Sequence, residues 1–132
     1  MTGELDWFLE DLAKQVPQTR RVIWLSSDGL VRSQHGCTRE EAEHLAAIGS
    51  GLKSLSAGAG AFMPIAESKV TLIVLAFEDG ILYQTPAADN SSLMVTADAG
   101  VDDGLMAQRM SDLVKRLGDH LKTPARGDGQ DA

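Results

Sequence analysis

The chain has 132 residues, enough for one domain with a single core. Hydrophobic residues make up 43% and charged residues 23%, the balance of a globular chain rather than a disordered one. With 12 Lys and Arg against 19 Asp and Glu, the formal net charge is −7. Such a chain repels phosphate backbones, and no basic run or basic–aromatic stripe offsets that, so nucleic acid is not an expected partner. Cys37 is the only cysteine, which excludes an internal disulfide and fits a reducing compartment. The start, "MTGELDWFLEDL", carries acids within its apolar pattern and lacks the basic opening of a signal peptide. No apolar run approaches the roughly 20 residues that cross a bilayer. A cytoplasmic domain without direct membrane insertion is expected.

Leu5, Phe8, Leu9, Leu12 and Val16 form one helical stripe, begun near Thr2 or Gly3 and stopped by Pro17. Trp7 points away from that stripe, where it serves either a partner or local packing. Arg21 to Leu25 and Leu30 to Gln34 read as two strands around Ser26-Ser27-Asp28-Gly29, a hairpin signal because Gly accepts positive φ and Asp tolerates it. Thr38 and Glu41 have capping-box spacing, which predicts a helix from about Arg39 to Ala57. Its expected inner stripe is Ala42, Leu45, Ile48, Leu52 and Leu55, with Gly49 on the same face. Ala47, Ser50, Gly51, Ser54 and Gly58 lie opposite, where a solvated face normally carries long charged side chains. Small residues there suit close approach by a second helix, although a weak, frayed helix end explains them equally well.

"KVTLIVLAF" (Lys69 to Phe77) is apolar on both alternating faces and predicts a strand buried on both sides. Glu78-Asp79-Gly80 turns the chain into Ile81 to Thr85, whose ladder Pro86 ends. Ser92 to Ala97 is the fifth strand. Asp102 or Asp103 caps a last helix with Met106, Met110, Leu113, Leu117 and Leu121 inside. Residues 1–123 thus form one domain, and 124–132 are expected to be a disordered tail, having no periodicity and little apolar content. The order is that of an α+β fold with a five-stranded, largely antiparallel sheet.

No constellation for chemistry emerges. A nucleophile at Ser26 or Ser27 needs a base and an orienting acid, while His35, His44 and His120 lie in three different elements. His35 and Cys37 are too few for a metal site. His44 follows Glu40 by four residues, a simple polar pair on a helix. "GSGLKS" (Gly49 to Ser54) has Leu52 where a phosphate loop needs Gly before Lys, and it lies inside the capped helix. The Ser-Ser-Asp-Gly corner is therefore expected to turn the chain only. No catalytic residue, cofactor or metal is expected.

The stretches "LDWFLEDLAKQVPQTRRVIWLSSDGL" and "TREEAEHLAAIGSGLKSL" resemble the bacterial roadblock/LC7 domain family, especially its actinobacterial members. The likeness runs from about Leu5 to Leu121. It rests on Leu5-Asp6-Trp7, Ser27-Asp28-Gly29-Leu30, and Ala42-Glu43-x-Leu45-Ala46 leading into Gly51-Leu52-x-Ser54-Leu55. It implies a profilin-like α-β-β-α-β-β-β-α fold, the long helix on one face of the sheet and the terminal helices on the other. It also implies a homodimer that pairs long helices and third strands. Ala47, Ser50, Gly51, Ser54, Val70, Leu72 and Val74 would then line the seam. Relatives act with Ras-like small GTPases as regulators, activators or platforms, in assemblies that also include a sensor-kinase-like protein; recruitment of a cytoplasmic domain to the membrane through a partner is a further expectation. The expected role is a non-catalytic adaptor. A scaffold without effect on nucleotide turnover and a small-molecule sensor are the alternatives. An arginine finger is not expected of Arg20, Arg32 or Arg39. Glu40, Glu43, His44 and Lys53 are expected on an outer partner face, with Trp7 as a further contact.

Overall fold

The computed structural model describes residues 3–122. The expected 124–132 tail, and Thr2 as a helix start, lie outside that range. The elements run α1 (Gly3–Gln15), β1 (Thr19–Leu25), β2 (Val31–His35), α2 (Arg39–Gly58), β3 (Ile73–Ala76), β4 (Gly80–Pro86), β5 (Ser92–Asp98) and α3 (Asp103–Lys122), with single 3₁₀ turns at Ala59–Phe62 and Ala88–Asn90. The five strands form one antiparallel sheet in the order β2-β1-β5-β4-β3. The α+β architecture and the antiparallel sheet agree with the sequence reading.

Alternation along the strands sends side chains to two cores. Val22, Trp24, Tyr83, Leu93 and Val95 pack beneath α1 and α3 with Leu9, Leu12, Val16, Met106, Met110, Leu113 and Leu117. Ile23, Leu25, Leu82 and Met94 face α2 and meet Ala42 and Ala46. The first core is large and holds the only fully buried Trp, whose Nε1 donates to Ser91 Oγ at 2.9 Å. Asp102 caps α3 by accepting from the Leu105 N–H. The Tyr83 hydroxyl donates to Asp103 and so ties β4 to the first turn of α3. Burial and the adjacent carboxylate hold that phenol well above its usual pKa.

The chain enters α2 from β2 at one sheet edge and leaves it towards β3 at the other. Four interstrand gaps span roughly 19 Å, and a 20-residue helix is roughly 30 Å long, so α2 and its connector suffice for the crossing.

The two edges are treated differently. Over β2, Asp6 of α1 accepts from the Ser33 hydroxyl and from the Gln34 N–H at 3.2 Å. A bulge between the Trp24/Ser33 and Leu25/Val31 pairs leaves Arg32 over, and its guanidinium lies 4.1 Å from the Trp24 ring centroid. The β3 edge carries neither device. Here the expected doubly buried strand is corrected. Only Ile73–Ala76 pairs, with β4 alone, while Leu72, Val74 and Phe77 are exposed. The run is apolar enough for a central strand, but the described chain supplies no strand beyond it.

Asp6→Ala removes a carboxylate that satisfies two donors of β2. We expect a loss of about 1.5–3 kcal/mol in unfolding free energy, measured by urea titration, with no change in oligomeric state.

Candidate interaction surface

The surface opposite the terminal helices is built by α2 and the β3 edge. The α2 N-terminus carries the full capping box: Thr38 Oγ1 accepts from the Glu41 N–H, and Glu41 Oε1 accepts from the Thr38 N–H, both at 3.1 Å. The helix then rests on the sheet through Ala42, Ala46 and Gly49, at spacings of four and three. A Cβ at Gly49 would lie 2.6 Å from Met94 Sδ and 2.9 Å from Leu25 Cδ1, so glycine sets how closely the helix approaches.

This contact line corrects the expected inner stripe. Leu45 and Leu52 are half-buried on one flank, but Ile48 is 44% and Leu55 79% exposed. At 100° per residue, His44, Ile48, Gly51 and Leu55 fall on the side of the helix away from the sheet. The reason is steric. Only residues as small as Ala and Gly fit against Met94 and Leu25, so the bulkier positions turn outward. Phe77, 60% exposed, joins Leu45, Ile48 and Leu75 around a depression of about 430 Å³. The exposed apolar surface therefore runs from the outer face of α2 to the edge strand.

Each predicted seam residue has a definite place. Ala47, Ser50, Gly51 and Ser54 are all exposed on α2. Gly51 is the one nearest the outward centre, and a Cβ there meets nothing within 4 Å. Ser50 stands beside the β1–β2 turn, its Oγ 2.4 Å from where a Gly29 Cβ would sit. Val70 and Leu72 precede β3, and Val74 lies in it. Ile48, Leu55 and Phe77 were not singled out as exposed. The sequence reading places Ile48 and Leu55 on the inner stripe, whereas their spacing with His44 and Gly51 puts all four on the outward side.

The proposed partner residues do not share one face. Glu40, Glu43 and His44 are exposed near the α2 N-terminus, and Glu43 pairs with Arg39 at 3.0 Å. Lys53 stands apart on the sheet-facing flank, where its Nζ donates to the Asn90 carbonyl. Trp7 is exposed on α1, edge-on to Phe8 and 5.5 Å from the Arg116 guanidinium, across the sheet from α2. Arg20 is bound to Asp98, which holds its guanidinium above the ordinary pKa. Arg32 covers Trp24 and Arg39 holds Glu43. All three arginines are already engaged.

The Ser-Ser-Asp-Gly corner is knotted by its own groups. The Ser26 hydroxyl donates to Asp28 and accepts from the Leu30 N–H, the Gly29 N–H donates to the Ser26 carbonyl, and Gly29 has φ +84. Ser26 thus closes a turn. Among the described residues, no group of three or more His, Cys, Asp or Glu side chains is placed to hold a metal. No helix among them is long and apolar enough to cross a membrane.

The comparisons agree with this architecture. The Roadblock/LC7 domain model matches residues 5–97. A crystal structure of a Roadblock/LC7 domain from Streptomyces avermitilis is 34% identical, with a TM-score of 0.84 over 89% of this chain and 98% of that one. Myxococcus xanthus MglB is 18% identical, with a TM-score of 0.79 over 92% and 90% of the two chains. A structure described as MglB with tetrameric arrangement gives 14% and 0.79, covering 89% and 88%. At those identities the MglB structures show a shared fold. No curated protein matches the chain. The fold defines a small α+β domain with an exposed apolar face. The chain belongs to the Roadblock/LC7 domain family.

Gly51 offers a clean probe of the outward face, because a side chain there meets open space within the chain. Gly51→Trp is expected to fold with unchanged or slightly raised stability at high dilution, since Gly is the weaker helix former. Far-ultraviolet dichroism on heating checks this.

Proposed function

We propose that the domain is a homodimer, closed through the outer face of α2 and the β3 edge, that regulates a Ras-like small GTPase without contributing a catalytic group. The observation that carries the dimer is the union of an unpaired strand edge, on which Val74 is exposed, with the exposed apolar residues Ile48, Leu55 and Phe77 on the α2 side of the sheet. Exposed apolar surface of this kind marks interaction sites, and an open edge is a template for another strand. A C2 contact pairs the same patch on both copies, and an MglB structure described as tetrameric is a precedent for assembly of this fold. Within that seam we place Ala47, Ser50, Gly51, Ser54, Val70, Leu72 and Val74, centred on Ile48 and Leu55.

The GTPase assignment rests on the family resemblance. The engagement of Arg20, Arg32 and Arg39 favours action by positioning groups of the GTPase itself over insertion of an arginine finger. The same observation supports the second reading, a scaffold that binds without altering turnover. Following phosphate release from the cognate GTPase with and without the domain separates the two: acceleration supports the regulator, and binding without acceleration supports the scaffold. A sensor-kinase-like protein as a third component, and a cytoplasmic domain recruited to the membrane through a partner, belong to the same proposal.

Ile48→Glu buries a charge in the proposed seam, and Gly51→Trp adds bulk to it. Each is expected to give a monomer by light scattering, since close packing accepts neither change. Dimers of wild-type stability in both variants would move the seam elsewhere.

Glu40 and Glu43 flank that seam and would be duplicated by symmetry. We expect a Glu40→Lys, Glu43→Lys double variant to remain dimeric and to associate several-fold more slowly with the GTPase at low salt, the difference shrinking as salt rises. Surface-plasmon kinetics at two salt concentrations measure this. An equal on-rate would direct attention to Trp7 and the terminal helices.

A further inference from the structure

A second feature lies on the α2 side of the sheet, at the C-terminal end of the helix. Ser56, Ala57, Gly58, Ala61, Val70 and Ile73 enclose, with Gln84 of β4, a cavity of about 500 Å³. That is within the usual range for small-molecule sites, and far above the roughly 30 Å³ of one water. Its wall is built. The Gly60 carbonyl accepts from the N–H groups of Met63 and Glu67, and a Cβ on Gly60 would stand 2.3 Å from the Ser68 carbonyl. The connector between α2 and β3 is thereby folded back on itself. Glu67, at the rim, holds φ +66, a left-handed conformation uncommon for such a residue.

Gln84 contributes a buried amide to the lining. The side chain is 2% exposed, and its Nε2 donates to the Gly49 carbonyl at 2.9 Å, which fixes the amide orientation. The other end, Oε1, is buried and has no hydrogen-bond partner among the described residues. A buried acceptor left unmade is costly, so it asks for a donor. At the mouth, Lys53 and Lys69 outnumber Glu67, leaving a net positive rim.

We propose that this cavity is a ligand site for a small amphipathic molecule with an apolar body, an N–H or O–H that donates to Gln84 Oε1, and an anionic group at the lysine rim. It lies at the C-terminal end of α2, shares only Val70 with the proposed seam, and does not depend on the GTPase reading.

Anilinonaphthalene sulfonate has all three features and serves as the probe, followed by fluorescence titration and amide shifts in nuclear magnetic resonance. One probe per chain is expected, with shifts centred on Ala57, Ala61, Val70 and Gln84. Ala57→Trp fills the mouth and should weaken binding at least tenfold. Gln84→Met removes the acceptor and should weaken it about fivefold, or about 1 kcal/mol at 1.4 kcal/mol per tenfold. The Ile48 and Leu55 amides should stay unshifted. Should Gln84→Met fail to fold, the loss of binding in Ala57→Trp together with those unshifted amides decides alone. Shifts centred on Ile48 and Leu55, with binding retained in Ala57→Trp, would overturn the proposal by placing the probe on the outward helix face. Dissociation of a dimer by the probe would also overturn it, since a second copy would then be the occupant.

Discussion

The close seating of α2 on the sheet governs what the rest of the molecule presents. The helix touches down on Ala42, Ala46 and Gly49, and at Gly49 a single added carbon would run into Met94 and Leu25. A helix this near a sheet has no room for large side chains beneath it. Its bulk must therefore go to the flanks and the outside. Leu45 and Leu52 fill the flank, while Ile48 and Leu55 are left in solvent. An amphipathic helix usually shows its apolar stripe to the core. Here one face of small residues serves the core, and a second, bulkier apolar line remains exposed among the described residues.

The sheet shows the same division. Its β2 edge is closed by α1 through Asp6, and the bulge that leaves Arg32 over Trp24 distorts the ladder there. Both are recognised means of blunting an edge. The β3 edge is short, lacks any such cover, and continues into Phe77. Because both edges belong to one sheet, the contrast cannot be laid to composition or to general stability. One edge is finished by the chain itself, and the other is left open among the described residues.

Much of this could be read from residues alone. Pro17 ending α1, Thr38 and Glu41 capping α2, Gly29 at positive φ, and the inward line of Met106, Met110, Leu113 and Leu117 each depend on local chemistry. Local chemistry is what a sequence states directly. Two features depended instead on which surface meets which. The rotation of α2 was misjudged because Leu and Ile were weighed above Ala and Gly, whereas the approach distance favoured the small residues. The run from Lys69 to Phe77 looked central because its apolarity matches a buried strand, and apolarity does not say whether the neighbour belongs to the same chain. Gln84 gave no signal at all, since an isolated Gln in "ILYQT" is ordinary until the fold buries it against Gly49.

The placement of cations bears on how such a domain can act on another protein. An arginine that stabilises a transition state in trans must be exposed, extended and free to leave its own surface. Arg20, Arg39 and Arg116 each pair with a carboxylate of this chain, to Asp98, Glu43 and Asp11 respectively, and Arg32 is stacked on a buried indole. Drawing any of them out would leave a carboxylate or a ring uncovered. Exposed pairs of this kind are individually weak, so the argument is one of geometry rather than of energy. What the molecule offers without rearrangement is shape: a rigid sheet, an apolar line along α2, and an open strand. Under the proposed reading, influence on a partner's nucleotide chemistry through such a surface works by holding the partner's own loops in one conformation. That requires differential affinity for two states of the partner, not a reactive group on this one.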